Sequence, residues 1–262
     1  MSDRYALIGN PVAHSKSPSI HAEFARATGQ DLEYGLVEAP LNGFAATAER
    51  FRAGGGKGLN VTLPFKQEAF RLCTRVSERA RHAQAVNTLV LETGFGDNTD
   101  GIGLVRDLSQ NLNYRFSTVL LLGAGGAAQG VVGALLGSGA TKVVIANRTL
   151  SRAQELAGRF TGASACGYDA LPAQTFDLIV NATSAGLADE APPLPERLLG
   201  SGVLAYDMVY GRETPFLAAA RRAGARTSDG LGMLVEQAAE SFFVWRGVRP
   251  ETRPVLAKLR GS

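Results

Sequence analysis

The stretch Thr118-Val-Leu-Leu-Leu-Gly123-Ala-Gly125-Gly126-Ala127 leaves few folds open. A strongly apolar strand runs straight into a glycine turn, and an apolar helix to about Gly137 follows at once. Strand, glycine turn and helix together are the context that a dinucleotide-binding turn requires. Gly123 permits the tight exit from the strand. Gly125 or Gly126 lets backbone reach a pyrophosphate, because a Cβ there would stand in the way. The N–H groups and dipole at the new helix start favour the anion. The competing reading is a turn that serves close helix–strand packing, and Gly130 and Gly133 do look like packing glycines.

Glycine is abundant, at 31 of 262 residues, and seven of the 31 fall between Gly123 and Gly139. With 11 prolines and 45% hydrophobic residues, this is not low-complexity sequence. The length suits one large or two modest α/β domains. A formal charge of +3, with basic residues dispersed among acidic ones, argues against nucleic acid as a partner. Cys73 and Cys166 have no metal-like spacing, and His14, His21 and His82 form no metal motif, so no metal is expected. No apolar run approaches the ~18 residues of a membrane span, and no signal-peptide core is present, so a cytoplasmic protein is expected.

Upstream, Tyr5–Gly9, Leu32–Glu38 and Gly58–Leu63 read as strands. Ser17 reads as an N-cap, with Pro18 opening a helix. Asn42–Arg52 reads as a second helix, and Pro64 as the start of a third. Val86–Leu91 and Phe95–Asn98 form an expected hairpin around Thr93-Gly94. A second α/β unit begins near residue 116 and continues through Lys142–Ala146, a helix at Leu150–Phe160, Phe176–Asn181 and Val203–Asp207. Alternating strands and helices imply largely parallel sheets. Leu231–Leu259 is strandless and helical, and is expected to pack back on the first unit.

The end of the second strand of that unit bears on cofactor choice. NAD-type sites usually carry an acidic residue there, but none lies between Thr141 and Leu150. The sequence reads Asn147-Arg148-Thr149, with Arg152 one turn on. Guanidinium groups suit a 2′-phosphate, which favours NADP over NAD. The plain alternative is two surface arginines, although positive charge at a helix N-terminus is mildly unfavourable.

In the first unit, Asn60 and Thr62 are two apart on a strand and so share a face near its C-terminal end. Lys66 follows. Ser15 and Ser17 offer hydroxyls, Asn87 an amide, and Asp97 and Asp100 carboxylates. Beside a nicotinamide, a lysine can give or take the proton of an alcohol, and a neighbouring aspartate can orient it. Neither a Tyr-x-x-x-Lys pair nor a set of zinc ligands is present as another route to alcohol oxidation.

These segments, taken in order, resemble the shikimate dehydrogenase family nearly end to end. The resemblance is carried by Gly9-Asn10-Pro11-Val12, His14–His21, Asn60–Lys66, Ala85–Thr88 and Asp97–Gly101. It continues through Gly123–Ala127, Asn147–Thr149, Asn181–Thr183, Asp207–Tyr210, Thr214–Leu217 and Asp229–Ala238. It implies NADP-dependent interconversion of 3-dehydroshikimate and shikimate, with Lys66 and Asp100 as the catalytic pair. It implies substrate binding by Ser15, Ser17, Asn60, Thr62, Asn87, Tyr210 and Gln237. It implies NADP binding by Gly123, Ala124, Gly125, Gly126, Ala127, Asn147, Arg148, Thr149, Arg152, Met208 and Gly230, with Glu78 as a further cofactor-side residue. The implied fold is an N-terminal, mostly parallel α/β substrate domain (1–102) and a Rossmann-type NADP-binding domain (103–230). C-terminal helices (231–262) return to the first domain. The implied protein is a monomer or homodimer with no membrane or nucleic-acid partner. Gln84, where a glycine is common, and Ala127-Ala128-Gln129 depart from the usual pattern without removing a reacting group.

Three alternatives remain. A quinate- or aminoshikimate-using relative preferring NAD is disfavoured by Arg148 with Arg152 and by the two serines. A non-catalytic NADPH sensor would be expected to lack Lys66 or Asp100. A folate-linked dehydrogenase of similar build would not account for His14–Ser17 together with Gln237.

Overall fold

The computed structural model describes residues 2–183, 185 and 189–261. The chain divides into two compact units, residues 1–103 with 234–262, and residues 104–233.

The first unit holds a six-stranded mixed sheet. Its elements are β1 (Asp3–Gly9), α1 (Ser17–Thr28), β2 (Leu32–Glu38), α2 (Phe44–Ala53), β3 (Gly56–Val61), α3 (Lys66–Leu72) and β4 (Arg75–Val76). They continue with α4 (Glu78–Ala83), β5 (Thr88–Val90), β6 (Phe95–Asp97) and the start of α5 (Asp100–Arg106). The strand order is β2-β1-β3-β5-β6-β4. β1 pairs in parallel with β2 and β3, and the β5–β6 hairpin joins β3 antiparallel. β1 lies inside the sheet, and its apolar run Tyr5–Ile8 is buried throughout, as a strand covered on both faces requires. Edge strand β2 mixes half-buried and exposed positions, with Gly35 and Leu36 both exposed.

One face of this sheet packs on Phe44, Phe65, Val86 and their neighbours. An aromatic group of Tyr5, His21, Phe24 and Tyr34 is joined by Phe242 and Trp245 of α9 (Leu231–Arg246). Trp245 Nε1 donates to the Leu89 carbonyl at 3.0 Å. The C-terminal helices, α9 and α10 (Arg253–Arg260), therefore belong with the first unit's sheet.

The second unit is an all-parallel sheet. It comprises β7 (Thr118–Leu122), α6 (Gly126–Gly137), β8 (Lys142–Ala146), α7 (Leu150–Ala157) and β9 (Ala163–Cys166). β10 (Leu178–Asn181), β11 (Leu204–Asp207), α8 (Pro215–Arg222) and β12 (Arg226–Ser228) complete it. The order β12-β11-β10-β7-β8-β9 reverses direction between β7 and β10. That switch point is where doubly wound sheets bind ligands, and the glycine turn leaves β7 there. A hydrophobic cluster covers each face of the sheet, one around Val131, Leu135 and Tyr206, the other around Phe176, Phe216 and Leu217.

Three local expectations are corrected. Lys16, not Ser17, is the N-cap of α1, because its carbonyl already accepts the first helical bond, from Ile20 N–H at 3.1 Å. β3 ends at Val61, so Thr62 lies just past the strand, although its N–H still reaches the Ile8 carbonyl at 2.9 Å. The helix expected to Phe160 stops at Ala157, where Gly158 takes the C-cap.

Candidate active site

In the first unit, Lys66 is the first residue of α3 and Asp100 the first of α5. Lys66 Nζ donates to Asp100 Oδ2 at 2.6 Å, and both side chains are largely buried, at 13% and 7% exposure. Such a charge-assisted bond is strong, and burying both partners leaves neither charge alone. The other carboxylate oxygen, Oδ1, accepts from Asn87 Nδ2 at 2.8 Å. The Asp100 backbone N–H donates to Asn98 Oδ1 at 3.1 Å. A carboxylate at the start of a helix also faces the favourable end of its dipole. Among the described residues, Asp100 is the one carboxylate paired with Lys66. An ammonium has three donors, so one bond to Asp100 leaves capacity for a reacting oxygen.

Asn87 links the pair to further polar groups. Its Nδ2 also lies 2.9 Å from Thr99 Oγ1 and 3.3 Å from Gln237 Oε1, while its Oδ1 accepts from Thr99 N–H at 2.8 Å. Gln237 is on α9, and its Nε2 donates to the Leu234 carbonyl. Asn60 is buried, donates to the Asn87 carbonyl at 3.0 Å and accepts from the Tyr34 hydroxyl at 2.8 Å. Burial pushes the Tyr34 phenol well above its usual pKa, and the neighbouring Ser17 hydroxyl acts in the opposite direction. Ser15 Oγ donates to Ser17 Oγ at 3.1 Å. The fold thus brings Lys66, Asp100, Asn87, Gln237 and Asn60 into one hydrogen-bonded group, with Ser15 and Ser17 reaching it through Tyr34.

Among the described residues, the side chains of Thr62 and Glu78 make no hydrogen bond to that group. The Thr62 methyl lies over Gly9, where an added Cβ would come within 2.3 Å of it. That close approach explains glycine at the end of β1. Glu78 is exposed at the start of α4, whereas Arg79 next to it grips Asp97 with two bonds of 2.7 and 2.6 Å.

In the second unit, Gly123 has φ +107°, a left-handed conformation that side chains rarely adopt. A Cβ there would also lie 3.2 Å from the Ala182 backbone. Gly125 caps α6, which has no side-chain cap, and a Cβ on Gly125 would meet nothing within 4 Å. Ala124, Gly126 and Ala127 complete the turn. A helix start with free amides beside open space, reached through glycine, fits a pyrophosphate. After β8, Asn147 Nδ2 donates to the Thr149 carbonyl at 2.9 Å and shapes the turn that carries Arg148. Arg148 and Arg152 are exposed, α7 has no acidic residue in its first turn, and neither guanidinium pairs with a carboxylate among the described residues. This donor set could hold a phosphate on the ribose.

Met208 and Tyr210 follow β11. Asp207, fully buried, holds that loop by accepting from Val209 N–H at 3.0 Å and from Thr214 Oγ1 at 2.6 Å. Gly230 lies against it, since a Cβ there would be 2.4 Å from the Met208 carbonyl oxygen. Sequence reasoning did not assign roles to Tyr34, Thr88, Thr99 or Asp207. Thr88, Thr99 and Asp207 stand inside motifs already singled out, but residue type alone does not show which groups they hold. Among the described residues, no three His, Cys, Asp or Glu side chains gather to hold a metal. No helix of the described residues is long and apolar enough to cross a membrane.

Three family models match the chain in succession. They are the shikimate dehydrogenase substrate binding domain (residues 7–89), shikimate / quinate 5-dehydrogenase (105–188) and the shikimate 5′-dehydrogenase C-terminal domain (230–260). A shikimate dehydrogenase (NADP(+)) from Methylobacillus flagellatus is 56% identical over 269 residues, covering 99% of this chain and 100% of the relative. This chain belongs to the shikimate dehydrogenase family. Solved structures of similar shape include a Pseudomonas putida protein described as an Ael1 enzyme, at 51% identity and TM-score 0.91, covering 98% of each chain. Another is the Thermus thermophilus shikimate 5-dehydrogenase in complex with NADP(H) and shikimate, at 35% identity and TM-score 0.88, also covering 98% of each chain. In shikimate dehydrogenase terms, the Lys66 group lies in the unit containing the substrate-binding-domain match, and the glycine turn lies in the other unit.

Proposed function

We propose that this chain is an NADP-dependent shikimate dehydrogenase that reversibly reduces 3-dehydroshikimate to shikimate. The observation that carries the reading is the largely buried Lys66–Asp100 pair, 2.6 Å apart, with the second Asp100 oxygen held by Asn87. When bound, NADPH supplies the hydride that the substrate's carbonyl carbon receives. Lys66 donates a hydrogen bond to the carbonyl oxygen, stabilises negative charge developing there and delivers the proton. Asp100 fixes the ammonium by its Oδ2 and keeps the site near neutral overall. In the reverse direction Lys66 accepts the hydroxyl proton.

Ser15 and Ser17 donate to the substrate carboxylate, while Asn60, Thr62, Asn87 and Gln237 bind its hydroxyls; Tyr210 adds a phenol. Gly123 to Ala127 cradle the pyrophosphate. Asn147, Thr149 and the two guanidiniums of Arg148 and Arg152 take the 2′-phosphorylated ribose, and Met208 and Gly230 form the nicotinamide side. Glu78 is assigned to that side on family resemblance alone. Both reactants are water-soluble, and the reading places the enzyme in the cytoplasm.

Steady-state rates with shikimate and quinate, each with NADP and NAD, test this reading. Shikimate with NADP is expected to give the highest kcat/KM. A preference for quinate or for NAD would overturn the substrate or the cofactor assignment separately.

A further inference from the structure

One fully buried hydroxyl, Ser241 on α9, has no role in the reaction as described, yet it touches groups from four parts of the first unit. Its Oγ lies 2.7 Å from Thr88 Oγ1 on β5 and 2.9 Å from Asn60 Nδ2 on β3. It lies 3.2 Å from Thr99 Oγ1, just before α5, and 3.1 Å from the Gln237 carbonyl one turn earlier on its own helix. An alanine would fill the same slot in an apolar core. Three polar side chains from three other elements converge on this serine instead.

We infer that Ser241 is a positioning residue that helps hold the Asn87 carboxamide in the orientation that faces Asp100, and through Asn87 it steadies Asp100. The inference rests on Lys66 and Asp100 being the acid–base pair.

Counting protons gives the direction. A hydroxyl has one proton and two lone pairs, an amide NH2 only donates, and an amide oxygen only accepts. Asn60 Nδ2 therefore donates to Ser241. Thr88 Oγ1 lies 2.9 Å from Asn87 Oδ1 and spends its single proton there. Thr88 Oγ1 at 2.7 Å and the Gln237 carbonyl at 3.1 Å share the single Ser241 proton, and the shorter contact to Thr88 takes the larger part. The result is a one-way chain from Asn60 N–H to Ser241 O–H to Thr88 O–H to Asn87 Oδ1.

Thr99 N–H donates to the same Asn87 oxygen at 2.8 Å. With its oxygen fixed at that end, Asn87 presents its NH2 to Asp100 Oδ1 at 2.8 Å. Flipping the amide would set its oxygen against the carboxylate, acceptor facing acceptor, and its NH2 against the Thr99 donor. The serine thus reinforces, through Thr88, the orientation that Thr99 N–H and Asp100 already favour, and that orientation stabilises Asp100 as an anion beside Lys66.

The test is Ser241→Ala in the full-length, 15N-labelled protein. In the free protein, the Asn87 side-chain NH2 signal is expected to shift, and its hydrogen exchange to speed up about tenfold, as loss of a buried hydrogen bond implies. In turnover, kcat/KM for shikimate is expected to fall about tenfold while KM for NADP stays unchanged. Thr88→Val breaks the next link and is expected to reproduce both changes. The double variant is expected to be no worse than either single one. An unmoved Asn87 signal, or additive losses in the double variant, would overturn the positioning role. If the wild type failed to oxidise shikimate, the functional reading would fall, while the Asn87 signal would still decide the positioning claim.

Discussion

Lys66 and Gly125 stand at the starts of two helices, α3 and α6, and the two helix starts are built in opposite ways. Lys66 is a long side chain, buried and tied to a partner 34 residues away in sequence. Gly125 is exposed, has no side chain, and leaves the amides of α6 open. The first unit builds its site from side chains of β3, α3, α5 and α9 that hold one another. The cofactor site proposed in the second is built from backbone, with the two exposed arginines Arg148 and Arg152 after β8. Chemistry that moves a proton needs groups fixed to within a fraction of an ångström, and a cross-braced buried network supplies that. Holding a diffusing phosphate group needs amides and charges that stay accessible.

The contrast breaks most visibly at Lys66. Lys66→Ala is expected to lower kcat by about 10²–10⁴, the usual worth of an acid–base group. Steady-state turnover at saturating substrate checks this. Gly125→Val tests the other side. Open space surrounds that position, so unfolding by urea should be little changed, whereas a side chain would stand where the pyrophosphate approaches. KM for NADP should rise more than tenfold, on the order of two charge-assisted hydrogen bonds. Gly123→Val, by contrast, is expected to destabilise the fold by about 1–3 kcal/mol, because its φ of +107° strains any side chain.

Arg148→Ala sharpens the comparison further. It should weaken NADP about tenfold and leave NAD nearly unaffected, as loss of one charged contact to a phosphate implies. Equal losses with both cofactors would remove the phosphate assignment.

The remaining effect is on stability alone and belongs to His21. It is stacked on Tyr34 with ring centroids 4.1 Å apart, and among the described residues only the Asn60 side chain favours a proton on its ring. Burial drives its pKa from 6.5 down to about 3. Between those values the unfolded chain binds a proton that the folded one refuses. Its contribution is therefore constant above pH 6.5 and turns against folding as pH falls towards 3, by up to about 1.4 kcal/mol per pH unit. His21→Phe should reduce the loss of stability between pH 7 and pH 5, measured by urea unfolding. An unchanged loss would mean that the imidazole is not held neutral.

The sequence made some of this architecture readable. The glycine turn, the apolar β1 and β7, and the hairpin of β5 and β6 follow from local pattern, because each is decided by neighbouring residues. β4 spans two residues and β12 three, too short for periodicity to register. β9, α4 and α8 were not singled out either. Ser17 shows another limit. Its type suits an N-cap, but the local backbone gives that place to Lys16 and frees the serine hydroxyl for Ser15. Within the site, Lys66, Asn87 and Asp100 stand in short motifs. The hydroxyls of Tyr34 and Ser241 do not, since their meaning comes from partners up to 181 residues away.

The central claim is that proton chemistry and cofactor choice are carried by different units and are separable. The direct measurement is a crossed comparison of Lys66→Ala and Arg148→Ala, with NADPH affinity by fluorescence titration and kcat by steady-state turnover for each. The expected result is that Lys66→Ala loses kcat and keeps its Kd for NADPH, while Arg148→Ala loses affinity and retains kcat at saturation. A collapse of NADPH affinity in Lys66→Ala, or a loss of saturated kcat in Arg148→Ala as large as that in Lys66→Ala, would contradict it.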